Sequence, residues 1–264
     1  MTFSSLFNTN KPIIGMVHLR PLPGSPRYDG DLSAIFEQAE WEAKALSEAG
    51  ANGLIVENLG DEPYQIGEPD PVQFAVMAAI TRQVKMDVTI PVGVNVQFNA
   101  WQAEMAIAHA CQADFVRVEV FVDTVVSAQG LVHPCSAQIT RYRKDLDANV
   151  ALFADIQTKY TTNIVSQPLA QSAIDARNAG ADALIVTGAA TGAATPLDSV
   201  TEVKSVVNLP VLVGSGTNIN NVDQVLAIAD GAIVGSALKE GRNAENQISV
   251  SETQAFMAAA KKAR

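Results

Sequence analysis

The amino-acid sequence predicts a closed (β/α)₈ barrel that forms one domain over residues 1–264. Three observations support this prediction. A short junction between a helix and a strand recurs, eight strand-like segments alternate with eight helical ones, and the long polar loops follow strands rather than precede them. Eight βα units typically occupy about 250 residues, which matches the 264 residues of this chain.

The recurring junction joins the end of a helical pattern to an apolar strand through a small residue and Asp or Asn. It occurs in "EAGANGLIVEN" (48–58), "ACQADFVRVEV" (110–120), "NAGADALIVTG" (178–188) and "AIADGAIVGS" (227–236). A repeated short loop of this kind is typical of alternating β and α units.

The remaining strands are predicted from short apolar runs, at Ile13–His18, Pro91–Val96, Val150–Ile156 and Val211–Gly214. Helical patterns fill the intervals at 31–49, 70–86, 100–110, 136–147, 168–179, 198–207, 219–228 and 249–262. The helix after the seventh strand is expected to begin near Asn218 or Asn220, since asparagine is a good N-cap. An open doubly wound sheet is the alternative, but no Gly-x-Gly-x-x-Gly follows the first strand.

Composition and charge restrict the function classes. The formal net charge of −10 argues against broad nucleic-acid binding, which requires a basic surface, and against attraction to anionic lipid. Cys111 and Cys135 are too few for a disulfide framework and lie in no metal-ligand spacing. Neither a signal-peptide pattern nor an apolar run long enough to span a bilayer is found, so we expect a cytoplasmic protein.

Polar side chains replace apolar ones where the predicted strands end. In a barrel all of these ends lie on one face, which is where barrel enzymes carry their active sites. Carboxylates and imidazole can transfer protons, and a desolvated lysine can attack a carbonyl, so the catalytic candidates are His18, Glu57, Glu119, Asp155 and Lys159. The candidates for substrate binding are Asn58, Asn95, Arg117, Asp123, Gln157 and Thr187.

Structural roles for these residues are the alternative. Arg117 with Glu119, or Asp155 with Lys159, could form structural ion pairs, and His18 could be an ordinary histidine at the rim. No cofactor is evident. A divalent metal could be held by His18, Glu57 and Asp155, but their separation in the sequence has no diagnostic value.

The segment "LPVLVGSGTNINNVDQVLAIADGAIVGSALK" (209–239) predicts an anion site. It contains two apolar runs, and each stops at a glycine followed by a serine. Glycine lets a ligand approach the main chain, and N–H groups at a helix start attract anions. We therefore predict a phosphate site at Gly188, Gly214, Ser215, Gly216, Gly235 and Ser236. The alternative is that these glycines form tight turns and nothing more.

Several motifs of the chain resemble those of the BtpA (SgcQ-like) family of TIM-barrel proteins. They are "IIGMVHLRPLPGSPRYDG" (13–30), "GLIVENLGDEPY" (53–64), "VGVNVQFN" (92–99), "ADFVRVEVF" (113–121), "ADALIVTGAATG" (181–192) and the glycine-rich segment above. The resemblance covers nearly the whole chain. It implies a TIM barrel with a phosphate-type site and, in photosynthetic members, a role in the biogenesis or stability of photosystem I at the thylakoid surface. Peripheral membrane association is expected by this analogy alone.

Three positions depart from the pattern of that family. The chain has Arg117-Val118-Glu119 where Arg-Val-Asn is usual, and Lys159-Tyr160 where Lys-His is usual. The usual Val-Asp-x-x-Arg is not recognisable in "ISVSETQAF" near the C-terminus. Since two of the changes lie at the predicted active face, they indicate a changed substrate or a weakened activity.

Two functions from different classes follow from the sequence. The first is an enzyme, an aldolase-like lyase or an isomerase, that acts on a small phosphorylated molecule. The second is a non-catalytic assembly factor that uses the barrel as a scaffold. The polar residues at the strand ends favour the enzyme, whereas an exposed apolar patch would favour the scaffold. A homo-oligomer is compatible with both.

Overall fold

The computed structural model describes residues 3–188 and 192–264. In this part of the chain the strands are β1 (Ile13–His18), β2 (Gly53–Glu57), β3 (Val92–Asn95), β4 (Phe115–Val118), β5 (Val125–Ser127), β6 (Gly130–Val132), β7 (Ala151–Asp155), β8 (Thr162–Asn163), β9 (Ala183–Val186), β10 (Val211–Val213) and β11 (Gly231–Val234). Eight of them form a closed parallel barrel in the order β1-β2-β3-β4-β7-β9-β10-β11, and β11 pairs with β1. The predicted (β/α)₈ barrel is confirmed.

A helix follows each barrel strand, and one short helix precedes the first strand. The helices are α1 (Phe3–Leu6), α2 (Leu32–Glu48), α3 (Pro71–Asp87), α4 (Trp101–Cys111), α5 (Ser136–Asp145), α6 (Leu169–Asn178), α7 (Leu197–Val206), α8 (Val222–Ile228) and α9 (Val250–Lys262). At the start of α3, Asp70 accepts from the Val72 amide and Gln73 accepts from the Asp70 amide, which is a capping box. In the described part of the chain, none of the helices combines the length and apolar character that crossing a membrane requires.

The helix after β10 begins later than the sequence predicts. Its N-cap is Asn221, not Asn218 or Asn220. The Asn218 amide donates to Asn221 Oδ1 at 2.7 Å, and the Asn220 amide donates to Asn218 Oδ1 at 2.9 Å. These side-chain bonds hold the asparagines in a turn, so helical geometry starts only after them.

The barrel interior is apolar through most of its depth. Residues at alternate positions of the strands point inward and form one buried cluster that includes Met16, Ile55, Phe115, Phe153 and Ile233. A second, larger cluster fills the layer between the strands and the helices. Every barrel strand is therefore buried on both faces, which explains why the strands appear in the sequence as continuous apolar runs.

An aromatic plug, formed by Phe3 and Phe7, closes the N-terminal end of the barrel. The Phe7 ring lies 6.1 Å from the Phe115 ring and 6.4 Å from the Phe153 ring, and those two rings stack at 4.6 Å. A Cβ atom at Gly53, the first residue of β2, would lie 2.9 Å from Phe7. Glycine at position 53 thus makes room for the plug.

A small antiparallel sheet, formed by β5, β6 and β8, covers part of the opposite end. Its strands come from the loops after β4 and β7, which the sequence presents as irregular loops. Val125 and Val132 point inward and pack with Phe98 and Val120. The small sheet therefore partly covers the C-terminal opening of the barrel.

Two of the motifs noted in the sequence pack against each other. The Leu22 amide donates to Asp61 Oδ1 at 2.7 Å, and the Gly60 amide donates to the Leu19 carbonyl at 3.1 Å. A Cβ atom at Gly60 would lie 2.5 Å from the backbone nitrogen of Pro21. These contacts fix the loops after β1 and β2 to each other, so both motifs have a structural role.

We predict that Phe7→Ala lowers the free energy of unfolding by about 3 kcal/mol, because it opens a cavity beside two buried rings. Urea unfolding followed by circular dichroism measures the change. Phe7→Leu keeps most of the volume and should cost less than about 1.5 kcal/mol. Equal losses for both variants would show that the plug does not act through packing.

Candidate active site

A cavity of about 290 Å³ opens at the C-terminal end of the barrel, under the small sheet. Its wall contains ten of the residues that the sequence proposes for a site: His18, Glu57, Arg117, Glu119, Lys159, Gly214, Ser215, Gly216, Gly235 and Ser236. The strand ends thus bring together residues that are far apart in the chain. Their catalytic and binding roles stay predictions.

Arg117 and Asp155 form a two-bond ion pair at the end of β4 and β7. Arg117 Nε donates to Asp155 Oδ2 at 2.8 Å, and Nη2 donates to Oδ1 at 3.0 Å. Asp155 is 1% exposed, so its oxygens are occupied below the cavity wall, whereas Arg117 forms part of that wall. Asp155 is therefore placed to orient Arg117, and it does not line the cavity as a general base would.

His18 and Glu57 lie next to each other at the ends of β1 and β2. His18 Nδ1 lies 2.9 Å from the Ala244 carbonyl oxygen, and a carbonyl can only accept, so Nδ1 carries the hydrogen. His18 Nε2 then presents its lone pair 3.7 Å from Glu57 Oε1. Burial, followed by the positive charge of Lys239, lowers the pKa of His18 to about 3. The imidazole is neutral at physiological pH, so its contact with Glu57 is not an ion pair.

Two carboxyl groups in the cavity wall have raised pKa values. Burial raises the pKa of Glu57, although Arg117 and Lys159 oppose the shift. Burial also raises the pKa of Glu119 to about 8, although the Asn99 amide donates to Glu119 Oε2 at 2.9 Å. At pH 7 the Glu119 side chain is therefore mainly a carboxylic acid that can donate a proton.

Lys159 lies in the loop between β7 and β8 and lines the same cavity. Burial, and next the positive charge of Arg117, lower the pKa of its amine. The Glu57 and Asp155 carboxylates oppose that shift. A lowered pKa increases the fraction of neutral amine, which is the nucleophilic form.

The glycine-rich turns after β10 and β11 approach these groups closely. A Cβ atom at Gly214 would lie 3.4 Å from Arg117 Nη2, and one at Gly235 would lie 3.1 Å from the His18 ring. Gly216 has a φ of +72°, and its Cβ would lie 2.2 Å from the Ala193 carbonyl oxygen. Glycine at 216 is therefore required by the chain's own backbone.

The side chain of Ser215 forms hydrogen bonds within the protein. Its Oγ accepts from the Gly188 amide at 2.8 Å and donates to the Ala193 carbonyl at 3.3 Å. The Gly188 amide, which the sequence places in the phosphate site, is thus already used. At this strand end the main chain of Ser215, not its hydroxyl group, remains as the binding candidate.

Other residues predicted to bind substrate lie outside the cavity wall. Asn58 accepts from the Gln97 amide at 2.8 Å and donates to Asp61 at 3.0 Å, while Asn95 donates to the Arg117 carbonyl at 3.0 Å. Thr187 is also absent from the wall. Asn58 and Asn95 therefore have structural partners, whereas Thr187 Oγ1 is buried without a hydrogen-bond partner among the described residues.

Asp123 and Gln157 belong to a polar network between the loops after β4 and β7. Asp123 accepts from Gln167 at 2.8 Å and from Ser172 at 3.0 Å, and Gln157 donates to Ser172 at 3.2 Å. Neither residue lines the cavity. The alternation of side chains along a strand does not apply to Gln157, because this residue follows the strand with a φ of 49°.

The sequence alone did not identify several residues of the cavity wall. Thr217 is 3% exposed, and its Oγ1 has no hydrogen-bond partner among the described residues. Tyr64 and Phe98 form an aromatic side of the wall. The position of Thr217 directly after Gly214-Ser215-Gly216 was a usable signal, whereas Tyr64 and Phe98 come from loops whose path the sequence does not specify.

The structure does not support the metal site considered from the sequence. Within residues 3–188 and 192–264, no group of three or more His, Cys, Asp or Glu side chains is arranged to hold a metal ion. Asp155 explains part of this result, since both of its oxygens accept from Arg117.

Comparisons with known proteins agree with the fold and with the motifs. The model of the BtpA family matches residues 9–262, and the chain belongs to this family. A protein of Archaeoglobus fulgidus is 41% identical over 88% of this chain and 92% of its own length. The photosystem I biogenesis protein BtpA of Synechocystis is 36% identical over 98% and 91% of the two chains. The resemblance seen in the sequence is confirmed.

A solved structure shares the barrel fold. Thiamine phosphate pyrophosphorylase from Pyrococcus furiosus superposes with a TM-score of 0.58, covering 96% of this chain and 96% of that chain at 16% identity. At this level of identity the likeness shows the fold alone.

We predict that Asp155→Asn lowers the free energy of unfolding by about 3 kcal/mol, because it leaves the buried Arg117 guanidinium without its counter-charge. Chemical denaturation measures the loss. Glu245→Gln breaks an exposed ion pair with Arg27 and should have little effect. Similar small effects for both variants would show that the Arg117–Asp155 pair does not organise the rim.

Proposed function

We propose that this chain is an enzyme, an aldolase-like lyase or an isomerase, that acts on a small phosphorylated metabolite bound at the C-terminal rim of the barrel. One observation carries the proposal. The same cavity contains close-approach glycine turns at one side and titratable groups with displaced pKa values at the other. Such a combination fits a substrate that has a phosphate anchor and a reacting carbon.

We assign the phosphate anchor to the main chain of residues 215–217 and 235–236. The Gly214 amide is excluded because it donates to the Val186 carbonyl at 2.8 Å. Turns at the ends of the last two barrel strands are a frequent phosphate site in this fold. Thr217 adds a buried hydroxyl group in the cavity wall that has no partner among the described residues. It could donate to a phosphate oxygen, which is a strong acceptor.

The charge of the cavity is compatible with an anion despite the formal net charge of −10. The charges of Arg117 and Asp155 offset each other, and burial raises the pKa of Glu119 to about 8, so this carboxyl group adds little negative charge at pH 7. Lys159 lines the same wall, and the protonated form of its amine attracts an anion. Carboxylates on the outer surface act through solvent and are screened beyond about 10 Å.

The acid and base groups support proton transfer at a carbon next to a carbonyl. Glu119 can donate a proton to a developing alkoxide, while the ionised form of Glu57 can accept a proton from carbon. Removal of such a proton followed by its return elsewhere is an isomerisation, and loss of a carbon fragment instead is a lyase reaction. The similarity to thiamine phosphate pyrophosphorylase, whose name refers to a phosphate compound, fits this substrate class.

A role as an assembly factor is the second candidate. The relative in Synechocystis is named a photosystem I biogenesis protein, and the small sheet has an exposed apolar face. Val126 and Leu131 are register partners on that face and are 47% and 46% exposed, and Ile164 is 54% exposed. Clustered exposed apolar side chains are typical of protein-binding surfaces.

We predict that small phosphate esters raise the melting temperature and that Thr217→Val weakens their binding about tenfold, which corresponds to one lost hydrogen bond to a charged group. Thermal-shift titration with inorganic phosphate, triose phosphates and pentose phosphates measures both effects. Thr201→Val on the outer helix α7 is the matched control and should leave the binding unchanged.

A specific result would contradict this proposal. If none of these compounds stabilises the protein at millimolar concentration, then the phosphate anchor is wrong and the assembly role becomes the better supported function.

A further inference from the structure

We propose that the Lys159 amine forms a covalent imine with the carbonyl carbon of a phosphorylated aldehyde or ketone held in this cavity. The inference deepens the proposed function and rests on its phosphate anchor. It narrows the substrate class to compounds that carry both a phosphate group and a free or ring-opened carbonyl.

The position of Lys159 is the geometric basis. Lys159 follows β7 by four residues and lies in the cavity wall together with Glu57, Arg117 and Glu119. The main chain of Gly214–Thr217 and Gly235–Ser236 lines the same cavity. A small substrate anchored at those turns can therefore present its carbon chain to the lysine side of the wall.

The surroundings of Lys159 favour the neutral amine, which attack on a carbonyl requires. Burial, and next the positive charge of Arg117, lower the pKa of Lys159, while Glu57 and Asp155 act in the opposite direction. Arg117 cannot move away, since Asp155 holds it through two hydrogen bonds. The Arg117–Asp155 pair thus contributes to the reactivity of the lysine as well as to the fold.

The other lysines with defined partners are placed differently. Lys239 Nζ is bound to both carboxylate oxygens of Glu42, at 2.9 and 3.0 Å, and Lys239 is 0% exposed. Lys85 and Lys204 pair with Asp114 and Asp230 outside the cavity. Lys159 is therefore the lysine that the described residues place in the cavity wall.

The proposed step balances with groups that are present. The nitrogen lone pair of Lys159 bonds to the carbonyl carbon, the carbonyl π electrons move to oxygen, and a proton passes from nitrogen to that oxygen. The resulting hydroxyl group leaves as water with a proton from the Glu119 carboxyl group, and an iminium ion remains. The ionised form of Glu57 can then remove a proton from the neighbouring carbon, because the iminium accepts the electron pair.

Reductive trapping tests the inference. The full-length protein is incubated at pH 7 with dihydroxyacetone phosphate or glyceraldehyde 3-phosphate, reduced with sodium borohydride and mapped by peptide mass spectrometry. We expect one reduced adduct per chain at Lys159, at least about tenfold above the labelling of exposed Lys144, because desolvation increases the fraction of neutral amine at the half-buried Lys159. Excess inorganic phosphate should suppress the adduct.

Variants distinguish the contribution of Lys159 from that of the phosphate anchor. Lys159→Arg keeps the positive charge but cannot form an imine, so it should lose the adduct and retain stabilisation by inorganic phosphate. Lys144→Arg is the control and should keep the adduct. If Lys159→Arg does not fold, Lys159→Met serves the same purpose. The peptide map of the wild-type protein tests the inference even if neither variant folds.

The outcomes are distinguishable. Labelling of Lys159 no higher than that of Lys144 with both compounds overturns the inference, even where inorganic phosphate still stabilises the protein. Loss of both the labelling and the stabilisation contradicts the phosphate anchor as well.

Discussion

The burial of several ionisable side chains on top of an apolar barrel interior is the constraint on which the site depends. The inward-facing residues Met16, Ile55, Phe115, Phe153 and Ile233 fill the barrel below. Charges placed on such a layer lose most of their hydration, which costs several kcal/mol per ion unless a partner is present. The Arg117–Asp155 pair satisfies this requirement with two hydrogen bonds. Burial also shifts the pKa values of the neighbouring side chains His18 and Glu119.

These shifts give the rim its chemical character. His18 becomes a neutral base because burial lowers its pKa to about 3, and Glu119 becomes a proton donor because burial raises its pKa to about 8. The same cause acts in opposite directions on an acid and on a base, since burial disfavours whichever form is charged. The small sheet contributes by covering the opening, and Lys239 contributes by lying close enough to oppose a positive charge on His18.

Much of the fold was predictable because its signals are local. Each barrel strand is buried on both faces and therefore appears as a short apolar run, and the capping box of Asp70 and Gln73 marks the start of a helix. The small sheet was not predictable, since its strands contain two or three residues and pair across separate loops. The aromatic plug of Phe3 and Phe7 was also missed, because a four-residue helix carries no clear periodicity.

The site was predictable in part. The strand ends pointed to His18, Glu57, Arg117 and Glu119, which lie in one cavity wall, and their roles stay predictions. It did not reveal that Asp155 would be occupied by Arg117 and that Asp123 would be bound by Gln167 and Ser172. The residue type and its place at a strand end indicate that a polar side chain lies near the rim. Its hydrogen-bond partners come from loops that are distant in the sequence, so the sequence does not reveal them.

Carbon-13 NMR titration of the glutamate carboxyl groups, with Glu119→Gln to assign the signal, tests the central claim most directly. The account predicts that Glu119 titrates with a pKa of about 8. Because this pKa is raised on folding, the stability that it contributes is present below the ordinary glutamate range and is lost as the pH rises through about 8. A Glu119 signal that titrates near 4.5, the ordinary value for glutamate, would contradict this prediction, since burial would then not control the chemistry of the rim.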